Sequence, residues 1–231
     1  MNRSNPVRRA IICAATTVGL FLVSIPFGFS QETLRPEIGK PLQAADALIK
    51  AKNFNDALAK VRDVDGVPNK TVYETYFIES TRGVAASGAG ENDTIIKSFE
   101  AVVATGKAPA ASQLKVVEAL AGAHYRAKDY VATIKWATRY SREGGSNPQI
   151  RILLIQAHFQ AGDYDGSVKE SLADIQAAEK AGLTPSEEKI QILANSYKRQ
   201  NKEADFAAAV EKWRKYYPKT PRQADGYFSS P

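Results

Sequence analysis

The apolar positions of this chain recur at helical spacing, and one part of the pattern occurs twice. Residues 123–130 (AHYRAKDY) and residues 157–164 (AHFQAGDY) align at an offset of 34 residues. A period of this length is typical of stacked helix-turn-helix units. In each unit a helix would end near an aromatic residue, a short turn would follow, and a second helix would begin at Tyr130 or Tyr164. The pattern predicts an all-α chain of about ten helices, from about residue 41 to residue 217.

Weaker copies of the pattern flank these two units. Upstream, Phe54 takes the turn position of a first unit, and Asn92 takes that of a second unit without a turn aromatic. Downstream, Phe206 is the candidate turn aromatic of a fifth unit, with a few extra residues at its turn. The turn positions 54, 92, 130, 164 and 206 are separated by 38, 38, 34 and 42 residues, which predicts insertions between units. Because the second turn lacks a ring, we expect it to be the least well packed.

Residues typical of helix ends support this register. Residues 71–74 (TVYE) and 184–187 (TPSE) have the form of capping boxes, in which a Thr hydroxyl and a Glu carboxylate bind free amides of the first turn. Pro148 and Pro185 are predicted to occupy the first position of a helix. Glycines at 144–145 and 182 are predicted to close helices. The three glycines of residues 83–90 match no nucleotide-binding motif, and this segment is interpreted as a helix end and a turn.

The first thirty residues have the pattern of an export signal. Three arginines precede an uncharged apolar run over residues 10–23, and small residues at 28–30 form a candidate cleavage site. We expect the mature chain to begin at Gln31 and to lie in a bacterial periplasm. An uncleaved inner-membrane anchor facing the periplasm is the alternative, since about 20 uncharged residues can span a bilayer. The only cysteine, Cys13, lies in this segment, so the mature chain is expected to lack disulfides.

The net charge adds little to the prediction of function. The whole chain has a formal net charge of +6, and loss of the leader with its three arginines would leave about +3. This charge is too small to predict nucleic-acid binding. Residues 219–231 are expected to form a polar tail. A basic cluster near the C-terminus comprises Lys212, Arg214, Lys215, Lys219 and Arg222. Cations are favoured at the end of a helix by its dipole, which explains most of this cluster. Binding of the cluster to anionic lipid or to a cell-wall polymer is the alternative.

The repeat resembles the tetratricopeptide repeat (TPR), in which small residues and an aromatic of the first helix precede Gly-Asp-Tyr. The resemblance is carried by Ala121, His124, Ala127, Asp129 and Tyr130 in one unit and by Ala157, Ala161, Gly162, Asp163 and Tyr164 in the next. Thr133 and Ser167 replace the family's alanine on the second helix. The resemblance implies a right-handed superhelical solenoid of about five repeats over residues 31–218, acting as a non-catalytic scaffold or adaptor.

Several side chains could carry catalytic or metal-binding chemistry, and the sequence favours a structural role for each. His124 and His158 occupy equivalent positions where the family has an aromatic residue, which favours packing over metal binding or acid–base work. Glu79-Ser80 and Glu170-Ser171 are similar to the start of the catalytic motif of helical muramidases, but the segments that follow in those enzymes are missing. Both glutamates are expected to be solvated. We predict no enzyme activity, metal or cofactor, and a cell-wall (peptidoglycan) hydrolase is the alternative.

In such a stack the groove formed by the first helices of successive units carries function. The register places Tyr125 and Phe159 there as aromatic anchors, with packing against the neighbouring unit as the alternative. We expect a protein or peptide partner in the cell envelope, although the polar side chains do not match a clamp for a carboxyl terminus. A membrane-tethered assembly factor is a further alternative. The predicted groove comprises Lys115, Glu118, Tyr125, Arg126, Gln156, Phe159, Gln160, Asn195, Lys198 and Arg199.

Overall fold

A computed structural model describes residues 32–218, and the predicted leader (residues 1–30) and polar tail (residues 219–231) lie outside them. The described chain contains ten α-helices and no β-strand, which confirms the all-α prediction. In chain order the helices are α1 (Pro36–Lys50), α2 (Phe54–Arg62), α3 (Val72–Ala89), α4 (Asn92–Thr105), α5 (Ala110–Arg126), α6 (Tyr130–Arg142), α7 (Pro148–Gln160), α8 (Tyr164–Lys180), α9 (Glu187–Arg199) and α10 (Glu203–Tyr216).

The helices form five pairs, from α1/α2 to α9/α10, and each pair packs against the next. The odd-numbered helices also contact one another, since α1 packs against α3, and α7 packs against both α5 and α9. No comparable packing joins the even-numbered helices of the described chain. The odd-numbered helices therefore form the tighter layer of a two-layer stack, which is the arrangement of a helical solenoid. This confirms the predicted repeat architecture.

The turn inside every pair has the same backbone conformation. The residue before the N-cap of the second helix has a positive φ in all five, namely Lys52, Gly90, Lys128, Gly162 and Asn201, with φ of 62°, 77°, 59°, 78° and 58°. The N-cap amide donates to the carbonyl five residues earlier, as the Asp129 amide does to the His124 carbonyl at 3.0 Å. A left-handed residue here reverses the chain and satisfies free carbonyls at the end of the first helix.

The second turn is tied to the next unit although it has no aromatic ring. Asn92 Nδ2 donates to the Ala123 carbonyl at 2.9 Å, and Asn92 Oδ1 accepts from Arg126 Nε at 3.0 Å. These bonds join α4 to α5 at the place where α3 and α5 lack the packing that other odd-numbered neighbours have. The amide of Asn92 thus links α4 to α5 where a ring would otherwise pack.

The fifth unit differs from its prediction. α10 begins at Glu203, so Phe206 lies inside the helix and the fifth turn has no extra residues. The extra residues instead lengthen α8, which has 17 residues against 13 in α6. α9 begins at Glu187 without a side-chain cap, so the capping box at 184–187 and the helical position of Pro185 are wrong. Glu187 Oε1 instead accepts from Trp213 Nε1 at 2.9 Å.

The capping box at residues 71–74 is confirmed. The Glu74 amide donates to Thr71 Oγ1 at 3.1 Å, and the Thr71 amide donates to Glu74 Oε2 at 2.9 Å. Glu74 is only 1% exposed, and Arg35 binds both of its oxygens, through Nε at 2.7 Å and Nη2 at 2.9 Å. The hydrogen bonds from Arg35 and from the Thr71 amide lower the pKa of Glu74 to about 2. Pro148 begins α7, as predicted.

The glycine-rich segment forms the last turns of a helix, and the predicted helix end and turn lie at its final residues. α3 continues through Ala89, and only Gly90 lies in the turn. A Cβ at Gly83 would lie 2.3 Å from the Phe99 ring, and a Cβ at Gly88 would lie 2.3 Å from the Phe54 ring. These glycines therefore allow close contact between α3 and two aromatic side chains, a packing requirement that outweighs their low helix propensity.

Candidate functional site

The predicted groove residues lie on three odd-numbered helices that pack side by side. Lys115, Glu118, Tyr125 and Arg126 belong to α5, three further residues to α7, and three to α9. We call the face that they share the odd-helix groove; it comprises Lys115, Glu118, Tyr125, Arg126, Gln156, Phe159, Gln160, Asn195, Lys198 and Arg199.

Two hydrogen bonds connect successive helices of this groove. Asn147 Nδ2, at the N-cap of α7, donates to Glu118 Oε1 of α5 at 2.6 Å. Gln156 Nε2 of α7 donates to Glu188 Oε1 of α9 at 2.6 Å. Asn147 and Glu188 were not predicted as groove residues, although each could have been found from its spacing of about one repeat from its partner. These contacts join α5 to the start of α7 and α7 to α9.

The two candidate anchors are half-buried and equivalent. The Tyr125 and Tyr130 rings meet edge to face with centroids 5.7 Å apart, and the Phe159 and Tyr164 rings do so at 5.5 Å. Burial raises the pKa of Tyr125. Each ring thus packs on the tyrosine that opens the next helix of its own unit and keeps part of its surface exposed. This geometry supports each ring against the second helix of its own unit.

Two cations of the groove have intramolecular contacts. Arg126 binds Asn92 at the start of α4, and the Arg199 guanidinium lies 5.9 Å from the centroid of the Tyr164 ring. Lys115 and Gln160 are exposed at opposite ends of their helices. The groove positions thus include cations that contact the stack and polar side chains that are exposed.

Solved structures with the same two-layer stack support this architecture. MamA AMB-1 is similar with a TM-score of 0.59 and 14% identity over 79% of this chain and 93% of that one. YrrB, described as a TPR protein with an unusual peptide-binding site, has a TM-score of 0.57 and 10% identity over 78% of this chain and 86% of that one. This chain has the fold of the tetratricopeptide-repeat proteins. A fragment of MamA from Desulfovibrio magneticus RS-1 is also similar, with a TM-score of 0.54 and 11% identity over 86% of this chain and 100% of that one.

No protein-family model matches this chain by sequence, and no curated protein matches it either. Identities below about 15% to the solved structures establish the fold and leave the binding chemistry to the side chains of this chain.

The histidines of the TPR-like solenoid face its interior. His124 is 7% exposed, which confirms its predicted packing position, and its ring nitrogens lie 3.4 Å from Glu100 Oε1 and from Asp129 Oδ2. His158 Nδ1 lies 2.7 Å from Asp163 Oδ2. Within residues 32–218 no group of three potential ligands is arranged to hold a metal ion. The paired His and Asp side chains connect the end of each first helix to the cap of the second.

The two candidate catalytic glutamates are ion-paired, which corrects the expectation that they are solvated. Glu79 pairs with Arg82 on the same helix, and its side chain is only 16% exposed. Glu170 lies 3.8 Å from Arg151 Nη2, and Asp174 lies 3.4 Å from Arg151 Nε. Each carboxylate thus has a basic partner within the helical stack.

The C-terminal basic cluster is partly neutralised within the fold. Lys212 Nζ lies 2.6 Å from Glu179 Oε1, and the Tyr216 hydroxyl donates to the same oxygen at 2.9 Å. Lys219 and Arg222 lie outside the described residues. Among the helices between residues 32 and 218, none combines the length and the apolar character that crossing a membrane requires.

Proposed function

We propose that this chain is an exported scaffold that binds a protein or peptide partner along the odd-helix groove, without bond chemistry. The observation that carries the proposal is the continuous layer of α5, α7 and α9, on which aromatic and amide side chains recur from one unit to the next. Tyr125 and Phe159 supply rigid, partly exposed rings, which are common anchors of interfaces. Gln156, Gln160 and Asn195 supply carboxamides, which both donate to and accept from a peptide backbone.

Export is part of the proposal and rests on the leader pattern of residues 1–30. The test is the N-terminal residue of the protein purified from a periplasmic extract. We expect Gln31. An N-terminus within the leader, with the protein in the membrane fraction, would favour the membrane-tethered assembly factor instead.

Groove binding is tested by site-specific crosslinking in the periplasm. A photoreactive residue at Gln160, exposed at the end of α7, is compared with one at Lys169, exposed on α8 in the other layer. We expect a discrete crosslinked product from position 160 and none from position 169. Equal crosslinking from both positions would contradict the groove assignment.

A substitution at an apolar position of α7 then tests the contribution of apolar contact. Ile152 is half-buried on α7, and the equivalent residue 34 positions earlier is Glu118, so a glutamate at this register is compatible with the fold. We expect Ile152→Glu to reduce capture of the crosslinked partner at least about tenfold, because it places a charge on an apolar contact. The control is Val131→Glu on α6, where the valine is already 75% exposed. Unchanged capture by Ile152→Glu would argue against binding at this surface.

The cell-wall hydrolase is tested separately by a peptidoglycan zymogram. We expect no clearing with the wild-type protein. Clearing that disappears in Glu79→Gln or Glu170→Gln would overturn the non-catalytic proposal.

A further inference from the structure

The buried apolar side chains of the stack form two separate cores. The first core extends from α1 to Leu154 of α7, and the second extends from Ile175 of α8 to α10. Ile155 and Ala157 of α7 are also buried but belong to neither core. The boundary between the cores therefore lies inside the fourth helix pair, between α7 and α8. A regular solenoid instead shares one continuous core among all its units.

The boundary follows from the amino-acid sequence of α8. Four positions of the second helix are compared, namely the fourth, seventh, eighth and eleventh residues after the N-cap. In α6 all four are buried, and they are Thr133, Trp136, Ala137 and Tyr140. In α8 they are Ser167, Glu170, Ser171 and Asp174. Because hydroxyls and carboxylates replace mostly apolar side chains, this face of α8 gains little hydrophobic stabilisation from packing.

The buried serines of α8 make no hydrogen bond to α7 within residues 32–218. Ser167 Oγ accepts from Ser196 Oγ of α9 at 3.0 Å. Ser171 is 0% exposed, and its hydroxyl has no hydrogen-bond partner in this part of the chain. A buried hydroxyl without a partner is unfavourable. Ser171 therefore weakens the packing around it.

Arg151 supplies ion pairs between α7 and α8. Its Nη2 lies 3.8 Å from Glu170 Oε2, and its Nε lies 3.4 Å from Asp174 Oδ1. All three side chains are partly exposed, and such ion pairs are weak because water screens them. Asp174 also pairs with Lys189 of α9, which is buried. Since α7 and α8 also pack less closely than the helices of any other pair, α8 is held more firmly by α9 than by α7.

The turn between α7 and α8 is better connected than the helices themselves. The Phe159 and Tyr164 rings meet across it with centroids 5.5 Å apart. His158 Nδ1 lies 2.7 Å from Asp163 Oδ2, and Gly162 between them has a φ of 78°. A fixed point at a short turn, followed by a weakly packed face, is the arrangement of a hinge.

We propose that the turn at residues 161–163 is a hinge about which α8–α10 moves as one body against α1–α7. The second core stays intact inside the moving body. The motion separates α9 from α7 and breaks the exposed hydrogen bond between Gln156 and Glu188. The odd-helix groove then becomes adjustable in width between α7 and α9. That last consequence rests on the proposed function, whereas the hinge itself does not.

The test is pulsed EPR with pairs of spin labels on the second helices. The labelled cysteines replace exposed residues six positions after the N-cap, and Cys13→Ser removes the native cysteine; the labelled positions are Ala59 of α2, Lys135 of α6 and Ala208 of α10. The 59/135 and 135/208 pairs are both two units apart, and only the second crosses the boundary. We expect its distance distribution to be at least about twofold broader than that of the 59/135 pair. Equal widths would overturn the proposal.

Two further label pairs distinguish a hinge from fraying of the last helix. Lys169 of α8 and Ala208 both belong to the moving body, while Lys97 of α4 and Lys135 both belong to α1–α7. All four residues are exposed, and each lies six positions after the N-cap of its helix. We expect equally narrow distributions from the 169/208 and 97/135 pairs. A broad 169/208 distribution would place the motion inside α8–α10 and contradict a hinge at residues 161–163.

Ser171→Ala tests whether the polar face of α8 causes the motion. Ala137 occupies the same position of α6, so an alanine is compatible with the fold. We expect the 135/208 distribution to narrow to about half its width, because apolar contact replaces a buried hydroxyl. The matched control is Ser98→Ala, which removes a buried hydroxyl without a described partner from α4 and should leave the width unchanged. An unchanged width in Ser171→Ala would refute this cause. No partner is used in these measurements, so their failure leaves the groove-binding proposal standing.

Discussion

His158 Nδ1 lies 2.7 Å from Asp163 Oδ2, whereas the equivalent atoms of His124 and Asp129 are 3.4 Å apart. The closer pair stands beside Gly166, and the wider pair stands beside Ala132, 34 residues earlier. A Cβ at residue 166 would lie 2.4 Å from both His158 Nδ1 and Asp163 Oδ2. The glycine therefore makes room for the shorter contact. The Gly166 amide and His158 both lower the pKa of Asp163.

We expect Gly166→Ala to reduce the free energy of unfolding by about 1 kcal/mol. The gain in helix propensity, about 1 kcal/mol, is smaller than the loss of a hydrogen bond to a charged group, about 1.5–3 kcal/mol. Urea unfolding measures the change. The control is Ala132→Gly, which should lose about 1 kcal/mol through propensity alone. A Gly166→Ala protein more stable than the wild type would show that the contact contributes little.

The turn residues with positive φ predict a substitution that increases the stability of the protein. Lys128 has φ of 59°, while Gly162 fills the equivalent position with φ of 78°. We expect Lys128→Gly to stabilise the protein by up to about 1 kcal/mol, because a left-handed conformation is unfavourable for a residue with a Cβ. Gly162→Ala should destabilise it by a similar amount. Thermal unfolding of the two variants checks this, and a destabilised Lys128→Gly would contradict the role given to the turn.

The aromatic contacts of α3 predict a large effect at Gly83. We expect Gly83→Ala to destabilise the protein by about 1–3 kcal/mol, since the added methyl group would overlap the Phe99 ring. Gly122→Ala on α5 is the matched control. There the nearest atom to a Cβ is Arg126 Nη1 at 3.4 Å, so propensity should make it neutral or stabilising by about 1 kcal/mol. Denaturant midpoints compare the two, and equal effects would refute the packing explanation.

Stability should depend on pH through Glu74. Its pKa of about 2 in the folded chain lies below the value of an unfolded glutamate, about 4.3. The carboxylate therefore contributes stability above about pH 5, and this contribution is lost as the pH falls toward 2. We expect Glu74→Gln to lose about 2 kcal/mol at pH 7 and to reduce the slope of stability between pH 5 and pH 3. Urea titrations of both proteins at several pH values test this, and identical slopes would contradict it.

The sequence predicted the helix pairs well where the residues of the turn recur from one unit to the next. The second helices that begin at Tyr130 and Tyr164 were placed correctly, because a turn and the helix start after it depend on neighbouring residues. Phe206 misled the register of the fifth unit, since it resembles a turn aromatic but lies one turn inside α10. Only the position of α9 against α10, fixed by contacts such as Glu187 with Trp213, resolves that ambiguity.

The odd-helix groove could be predicted as a set of positions but not as a set of contacts. Repeat register placed Gln156 and Arg126 on first helices, and the stack then paired them with Glu188 and Asn92. Those partners lie about one repeat away, and their approach depends on the angle between units. A periodic pattern contains no information about that angle.

The amino-acid sequence by itself determined that this chain is a row of paired helices, because helical periodicity, turn residues and caps act over a few neighbouring positions. The tertiary structure alone decided that Gly83 and Gly88 lie against the Phe99 and Phe54 rings and that Asn92 bonds Arg126 of the next unit. Those outcomes depend on the space left between helices that are far apart along the chain, and close packing assigns that space only when the whole stack is assembled.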